Sequence, residues 1–298
     1  MLAWCVASVV SVSTWGVSPS PVVALRQDAE PVRVRQITGD LRIHEGFAAT
    51  GLRNHRTVSV WLPPQYAKEP TRRFPVLVMQ DGQNLFDGTR TYIPNQEWRV
   101  DETAQALMNA GLVEPVIIVG VDNAGMARAD EFLPTTSPGR EGQPKVGGKL
   151  NAYADFLIKE VLPFVHQSYR TRRDAGSTGL GGSSFGGIST LVIGLRHPEV
   201  FSRLAVVSPS VWWDNGVVIR EVEALKRRPK SRIWVDIGTR ESAEAVRDTG
   251  RLRDALVAKG WTSGRDFAYV EESGAGHNEA AWACRFGEIL MFLYPARR

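Results

Sequence analysis

Four short apolar runs, Pro75–Met79, Val116–Val121, Leu204–Val207 and Ile233–Ile237, each stop at turn-forming residues. They are too short for buried helices, and runs bounded in this way predict strands covered on both faces, as in a parallel sheet. Around them, apolar residues recur at helical spacing over Trp98–Asn109, Leu150–Tyr169, Ser189–Arg196, Val217–Arg228, Thr249–Lys259 and Glu279–Tyr294. Parallel neighbours need long crossovers, so this alternation predicts an α/β fold with a mostly parallel central sheet and helices on both faces. Two extended segments, Val32–Ile37 and Thr57–Leu62, predict a hairpin leading into the sheet. Gly125 to Lys149, rich in Gly, Pro and Arg, has no periodicity and is long enough to read as a lid. No internal repeat is visible.

Composition excludes several classes. With 43% hydrophobic and 23% charged residues in 298, the chain is neither disordered nor a disulfide-stapled miniprotein. Its 36 basic and 32 acidic residues leave a mild positive excess. The densest basic run, Lys226, Arg227, Arg228, Lys230 and Arg232, lacks interleaved aromatic residues and reads as a solvated helix end, not a nucleic-acid surface. Residues 1 to 24 carry no charge, begin with an apolar stretch and end in Val22-Val23-Ala24, which predicts a secretion signal despite the missing basic start. The expected product is an exported protein, periplasmic or extracellular, with residues 25–298 forming a single domain. Serines interrupt the apolar stretch well short of the ~20 residues a membrane span needs. Of the two cysteines, Cys5 would leave with the signal and Cys284 would stand alone, so neither a disulfide framework nor a cysteine metal site is expected.

The segment Gly182-Ser183-Ser184-Phe185-Gly186 fits G-x-S-x-G, the sharp strand-to-helix turn that presents a nucleophilic serine among small residues because larger ones would clash. Alone the motif is weak, but Gly176–Gly181 before it can pass as a buried strand and Ile188–Leu195 after it has helical spacing, the setting the motif requires. Two rival readings fail. A dinucleotide loop beginning at Gly179 has Ser184 in place of its third glycine, and a phosphate loop at Gly142–Lys149 has Gly148 where lysine is needed.

A serine hydroxyl needs a base. Of five histidines, His277 alone occupies a flexible late turn, Ser273–Asn278, between a strand-like segment and the last helix. That matches the α/β-hydrolase order of serine, acid, histidine. The acid should end an intervening strand. Glu241 follows Ile233–Ile237 and is favoured, with Asp236 and Asp248 as alternatives, while a helix-capping role is the plain reading of Glu241. Two backbone N–H groups are needed for an oxyanion; Phe185 and Gln83 occupy the expected positions.

These segments, with RTVSVWLPPQY (56–66), VLVMQDGQNLFD (76–87), RADEFLP (128–134), SPSVWW (208–213), GTRE (238–241) and GHNEAAW (276–282), resemble the putative-esterase branch of the α/β hydrolases. That group contains enterochelin-type siderophore esterases, feruloyl and acetyl-xylan esterases, esterase D and mycolyltransferases. The resemblance implies an α/β-hydrolase fold, a serine esterase without cofactor or metal, and the roles of nucleophile, base and acid for Ser184, His277 and Glu241. Substrate is less legible: Trp212 and Trp213 could stack on a ring or belong to the core, and Arg128 and Glu131 could hold a polar substrate or pair with each other. Acyl or aromatic esters of carbohydrates are the favoured expectation. A siderophore lactone is the alternative, and an acyltransferase or a non-catalytic binding protein the alternatives of another class.

Overall fold

The central strands form because their residues alternate between two apolar interiors. In a computed structural model, which describes residues 35–137 and 145–296, eight strands make one sheet in the order β1-β2-β4-β3-β5-β6-β7-β8. They are β1 (Asp40–Ala49), β2 (Asn54–Leu62), β3 (Val76–Gln80), β4 (Ile117–Val121), β5 (Thr178–Ser183), β6 (Arg203–Val207), β7 (Arg232–Gly238) and β8 (Phe267–Glu272). The neighbours from β4 to β8 pair parallel, while β1 pairs with β2 and β2 with β4 antiparallel. The predicted export signal and the middle of the predicted lid lie outside the described residues.

Among the described residues, nine α-helices connect or flank the strands: α1 (Gln65–Lys68), α2 (Val100–Asn109), α3 (Arg128–Phe132), α4 (Leu150–Phe156), α5 (Leu162–Ser168), α6 (Phe185–Arg196), α7 (Val217–Ala224), α8 (Ala243–Ala258) and α9 (Glu279–Leu293). Val78, Val119, Leu180, Val206 and Val235 face one interior, built with α4 to α8. Leu77, Met79, Ile118, Val207 and Trp234 face the other, closed by Val100 and Ala104 of α2 and by Phe286 and Leu290 of α9. Period-two alternation of apolar residues in strands buried on both sides produces this division. Each such side chain removed from water contributes about 1.5–3 kcal/mol.

Several sequence expectations shift. Among the described residues the strand that pairs with β2 on its outer side is Asp40–Ala49, while residues 35–37 of the predicted Val32–Ile37 form no strand and its first three residues lie outside the described residues. β1 is an edge strand with mixed burial and a bulge between His44 and Phe47, so no clean alternation marks it. β5 runs two residues later than predicted, which brings its last residue directly before Ser184. α7 stops at Ala224, so the basic run lies beyond the helix, from Lys226 to Lys230 in the loop entering β7 and at Arg232 in the first position of that strand. The described part of segment 125–149 is not structureless: it contains α3 and a bridge between Thr136 and Gly147.

From β3 the chain goes to β4 on one side and the sheet continues to β5 on the other. Loops leaving adjacent strands in opposite directions open a crevice at the carboxyl ends, where ligands bind in open α/β sheets. The turns after β3, β4 and β5 meet there.

Candidate active site

Ser184 stands between β5 and α6 with φ 60° and ψ −118°, a sparsely populated conformation that costs about 1–3 kcal/mol and persists only when its surroundings enforce it. They do so here. Its N–H donates to Val207 O at 3.0 Å, and its carbonyl accepts from Gly187 N at 3.1 Å and Ser210 N at 3.1 Å. The glycines of the turn are not equivalent. A Cβ on Gly187 would come within 3.0 Å of Pro209 and Val207 O, whereas one on Gly186 would meet nothing closer than 3.7 Å. The expected clash at the glycines flanking the serine therefore holds for Gly182, where a Cβ would lie 3.1 Å from the backbone of Gly186, and fails for Gly186; a further close approach falls one residue beyond the motif, at Gly187. Gly187→Ala is expected to destabilise the protein by about 1–3 kcal/mol through overpacking. Gly186→Ala should lie within about 1 kcal/mol of wild type, helped by alanine's helix propensity. Denaturant unfolding of the two variants checks this, and the opposite order would refute it.

His277 Nδ1 lies 2.7 Å from Glu241 Oε2. The other oxygen, Oε1, accepts from Ser208 Oγ at 2.7 Å and from Gly238 N at 3.1 Å. Burial works against a charged carboxylate, yet hydrogen bonds from His277, Ser208 and Gly238 hold its pKa below the ordinary range. An ionised Glu241 requires the proton on Nδ1, which leaves the Nε2 lone pair free to accept. Ser208 in turn accepts from Trp282 Nε1 at 3.0 Å and Arg285 Nη2 at 2.9 Å, so its single hydrogen is committed to Glu241.

Of the three candidate acids, the structure brings Glu241 to the imidazole. Asp236 is fully buried within β7, where it pairs with Arg285 at 3.0 Å and accepts from Trp234 Nε1 at 2.7 Å. Asp248 lies on α8 with Arg247 at 3.1 Å. Sequence reasoning missed Ser208 and Arg285. The one available signal was that β6 ends beside β5 and β7, so the residue after it must stand between serine and acid.

Two cavities meet at Ser184 and His277. The larger, about 780 Å³, is lined by Gln83, Asn84, Arg90, Asp122, Arg128, Glu279 and Trp282, with Tyr92, Ile93 and Met126 on its rim. The smaller, about 320 Å³, is bounded by Phe185, Ser208, Ser210, Trp212 and Glu241. Ser184 Oγ faces Ser210 Oγ at 3.2 Å. Phe185 opens α6, so its N–H has no partner within the helix. Gln83 precedes Asn84, whose N–H makes the first bond of its turn, to Asp81 O at 2.9 Å. Gly82 is obligatory there: a Cβ would sit 2.6–2.8 Å from the backbone of Gly120 and Val121.

The remaining expected residues divide. Trp212 is 54% exposed and lines the smaller cavity. Trp213 is buried and donates to Thr135 Oγ1 at 3.1 Å, so it belongs to the core. Arg128 makes two 2.7 Å bonds to Asp81. Glu131, contrary to expectation, lines neither cavity and does not pair with Arg128, because its carboxylate is buried against Arg56 (3.0 Å) and Asn54 (2.8 Å). Burial raises Asp122 to about 6 despite Arg90 at 2.6 Å, and burial also raises Glu279, which accepts from Asn84 Nδ2 at 3.0 Å. Among the described residues no His, Cys, Asp and Glu cluster suited to a metal occurs, and no helix is long and apolar enough to cross a membrane.

The chain as a whole is similar in sequence and fold to known proteins. The uncharacterized protein YbbA of Bacillus subtilis (strain 168) is 23% identical over 252 residues, 82% of this chain and 94% of its own. An endo-1,4-beta-xylanase/feruloyl esterase of Xylanibacter ruminicola is 25% identical over 252 residues, covering 80% of this chain but only 30% of that protein. The crystal structure of the enterobactin esterase FES from Shigella flexneri in the presence of enterobactin superposes with a TM-score of 0.67 at 21% identity, over 88% of this chain and 60% of that one. Residues 49–293 match the family described as "Putative esterase", and the chain belongs to that family as an esterase of the α/β-hydrolase fold.

Proposed function

We propose that the protein is a serine carboxylic-ester hydrolase working through an acyl-enzyme, with Ser184 as nucleophile, His277 as base and Glu241 as the acid that orients the imidazole. The observation that carries this reading is the 2.7 Å contact of His277 Nδ1 with a carboxylate held ionised, in a cavity shared with the elbow serine. Catalytic hydrogen bonds are often loose without substrate, and rotation about χ1 moves Ser184 Oγ from Ser210 towards Nε2. Nε2 takes the hydroxyl proton as Oγ bonds to the carbonyl carbon, and the Phe185 and Gln83 amides receive the oxyanion. Collapse breaks the ester C–O bond, and the alcohol leaves with the proton from Nε2. Water, deprotonated by the same nitrogen, then attacks the acyl-enzyme and releases the acid and Ser184.

Neutral acyl or aromatic esters of carbohydrates fit the larger cavity best. Both of its arginines are already tied to carboxylates, Arg90 to Asp122 and Arg128 to Asp81, and Glu279 adds a further acid. Among the described lining residues no cation is left over to balance a multiply charged ferric catecholate. Exposed Trp212 offers a flat face for a sugar or aryl ring. Export, predicted from residues 1–24, would place such an enzyme beside polymeric substrates.

The test ranks kcat/KM on acetylated and feruloylated sugars against a catecholate trilactone, with the product followed as free acid or as ester passed to an added sugar. The sugar esters should rank higher and yield free acid. The reverse ranking overturns the substrate reading, and predominant transfer overturns hydrolysis.

A further inference from the structure

The basic run beyond α7 does not disperse into solvent. Arg228, Lys230 and Arg232 come together with Arg203 around a cavity of about 310 Å³ at the amino ends of β5, β6 and β7, opposite the serine. Strands of this length separate the two ends of the sheet by roughly 17–20 Å. One carboxylate, Asp266, lies among these four cations, and it is shared by Arg228 at 3.0 Å and Arg265 at 3.4 Å.

Arg203 and Arg232 occupy directly paired positions on adjacent parallel strands, so their side chains leave the sheet on the same side. Like charges so placed repel. Among the described residues neither forms a direct ion pair with a carboxylate, and Asp266, which acts on Arg232 through space, is already paired with Arg228 and Arg265. Arg203 donates to the carbonyls of Gly176 and Leu293 and Arg232 to that of Arg265, contacts that fix the guanidinium groups without neutralising them. Arg203 also lies over the Tyr294 ring and Arg232 over Phe292, which holds both in place. Ser231, only 5% exposed, lines the same cavity, and its hydroxyl has no hydrogen-bond partner among the described residues. A buried hydroxyl left unsatisfied beside fixed, unneutralised cations marks a place built for an acceptor that carries charge.

We propose that this cavity binds a tetrahedral oxyanion, phosphate or sulfate, held by Arg203, Lys230, Arg232 and the Ser231 hydroxyl. Guanidinium donors in fixed positions match the geometry of such an anion. The volume leaves room for part of a carrier molecule beside the charged group.

Calorimetric titration of the full chain with inorganic phosphate, inorganic sulfate and glucose 6-phosphate, at constant ionic strength set with potassium chloride, tests this. Saturable binding is expected, weakened about 10- to 100-fold in Lys230→Ala and in Arg232→Gln, as for the loss of one charged hydrogen-bond partner. Aryl-ester hydrolysis, far from this end of the sheet, should stay at the wild-type rate in both variants and reports that each is folded. Should Arg232→Gln fail that check, the exposed Lys230 still provides the comparison. Tighter binding of the sugar phosphate than of inorganic phosphate assigns the site to a carried group, and equal binding assigns it to the free ion. No saturable binding of any of the three, or binding undiminished in Lys230→Ala, overturns the proposal.

Discussion

Replacing Ser184 by alanine should lower kcat for a short-chain aryl ester by about 10⁴- to 10⁶-fold, the range seen when a serine nucleophile is removed while binding and oxyanion contacts remain. The backbone should survive the change. Serine and alanine meet the same strain at φ 60°, and the bonds that enforce this conformation come from the main chain of Val207, Gly187 and Ser210. Beyond the nucleophile itself, the substitution removes the hydrogen bond between the Ser184 and Ser210 hydroxyls. A folded variant, checked by circular dichroism, that retains substantial activity would move the nucleophile elsewhere, with Ser210 the first to examine.

Glu241→Gln should cost about 10³–10⁴ in kcat with little change in KM, and for a reason peculiar to this site. Ser208 and Gly238 both donate to Oε1, and Ser208 has no freedom to do otherwise because Trp282 and Arg285 already donate to it. The glutamine oxygen must therefore take the Oε1 position, which turns its NH₂ towards His277 Nδ1. That nitrogen can then only accept, the ring proton moves to Nε2, and the imidazole can no longer take the serine's proton. Loss of a triad carboxylate through the wrong tautomer has an effect of this order. Steady-state kinetics on Glu241→Gln and Asp236→Asn separate the candidates. If the glutamine variant keeps more than a tenth of wild-type kcat, the orienting role fails.

The features legible in the sequence were those encoded over a few neighbouring residues. The elbow needs a strand, a small-residue turn and a helix in succession, all visible around Ser184, and His277 was marked by its place in a late flexible turn. The acid stayed open among three residues because the choice depends on which loop folds back over the sheet, a matter of tertiary placement. Ser208 and Arg285 were invisible for the same reason: they lie 77 residues apart in the chain and meet through their hydrogen bond. Glu131 misled because a short helix does not reveal which of its charged residues faces inward, and Arg56, the partner that captures it, comes from β2.

The order of the strands divides the labour around Ser184. The hydrogen-bonded group to which the proposed mechanism gives the proton, namely Ser208, Glu241, His277 and Arg285, comes from the chain after β6, whereas the rim of the larger cavity comes from the loops after β3 and β4. Tyr92, Ile93 and Met126 make no hydrogen bond to the acid or its supports through their side chains. Drift confined to those rim positions can therefore redirect the proposed reaction to new esters, as long as Gln83, the proposed oxyanion donor at the start of the same β3 loop, keeps its place.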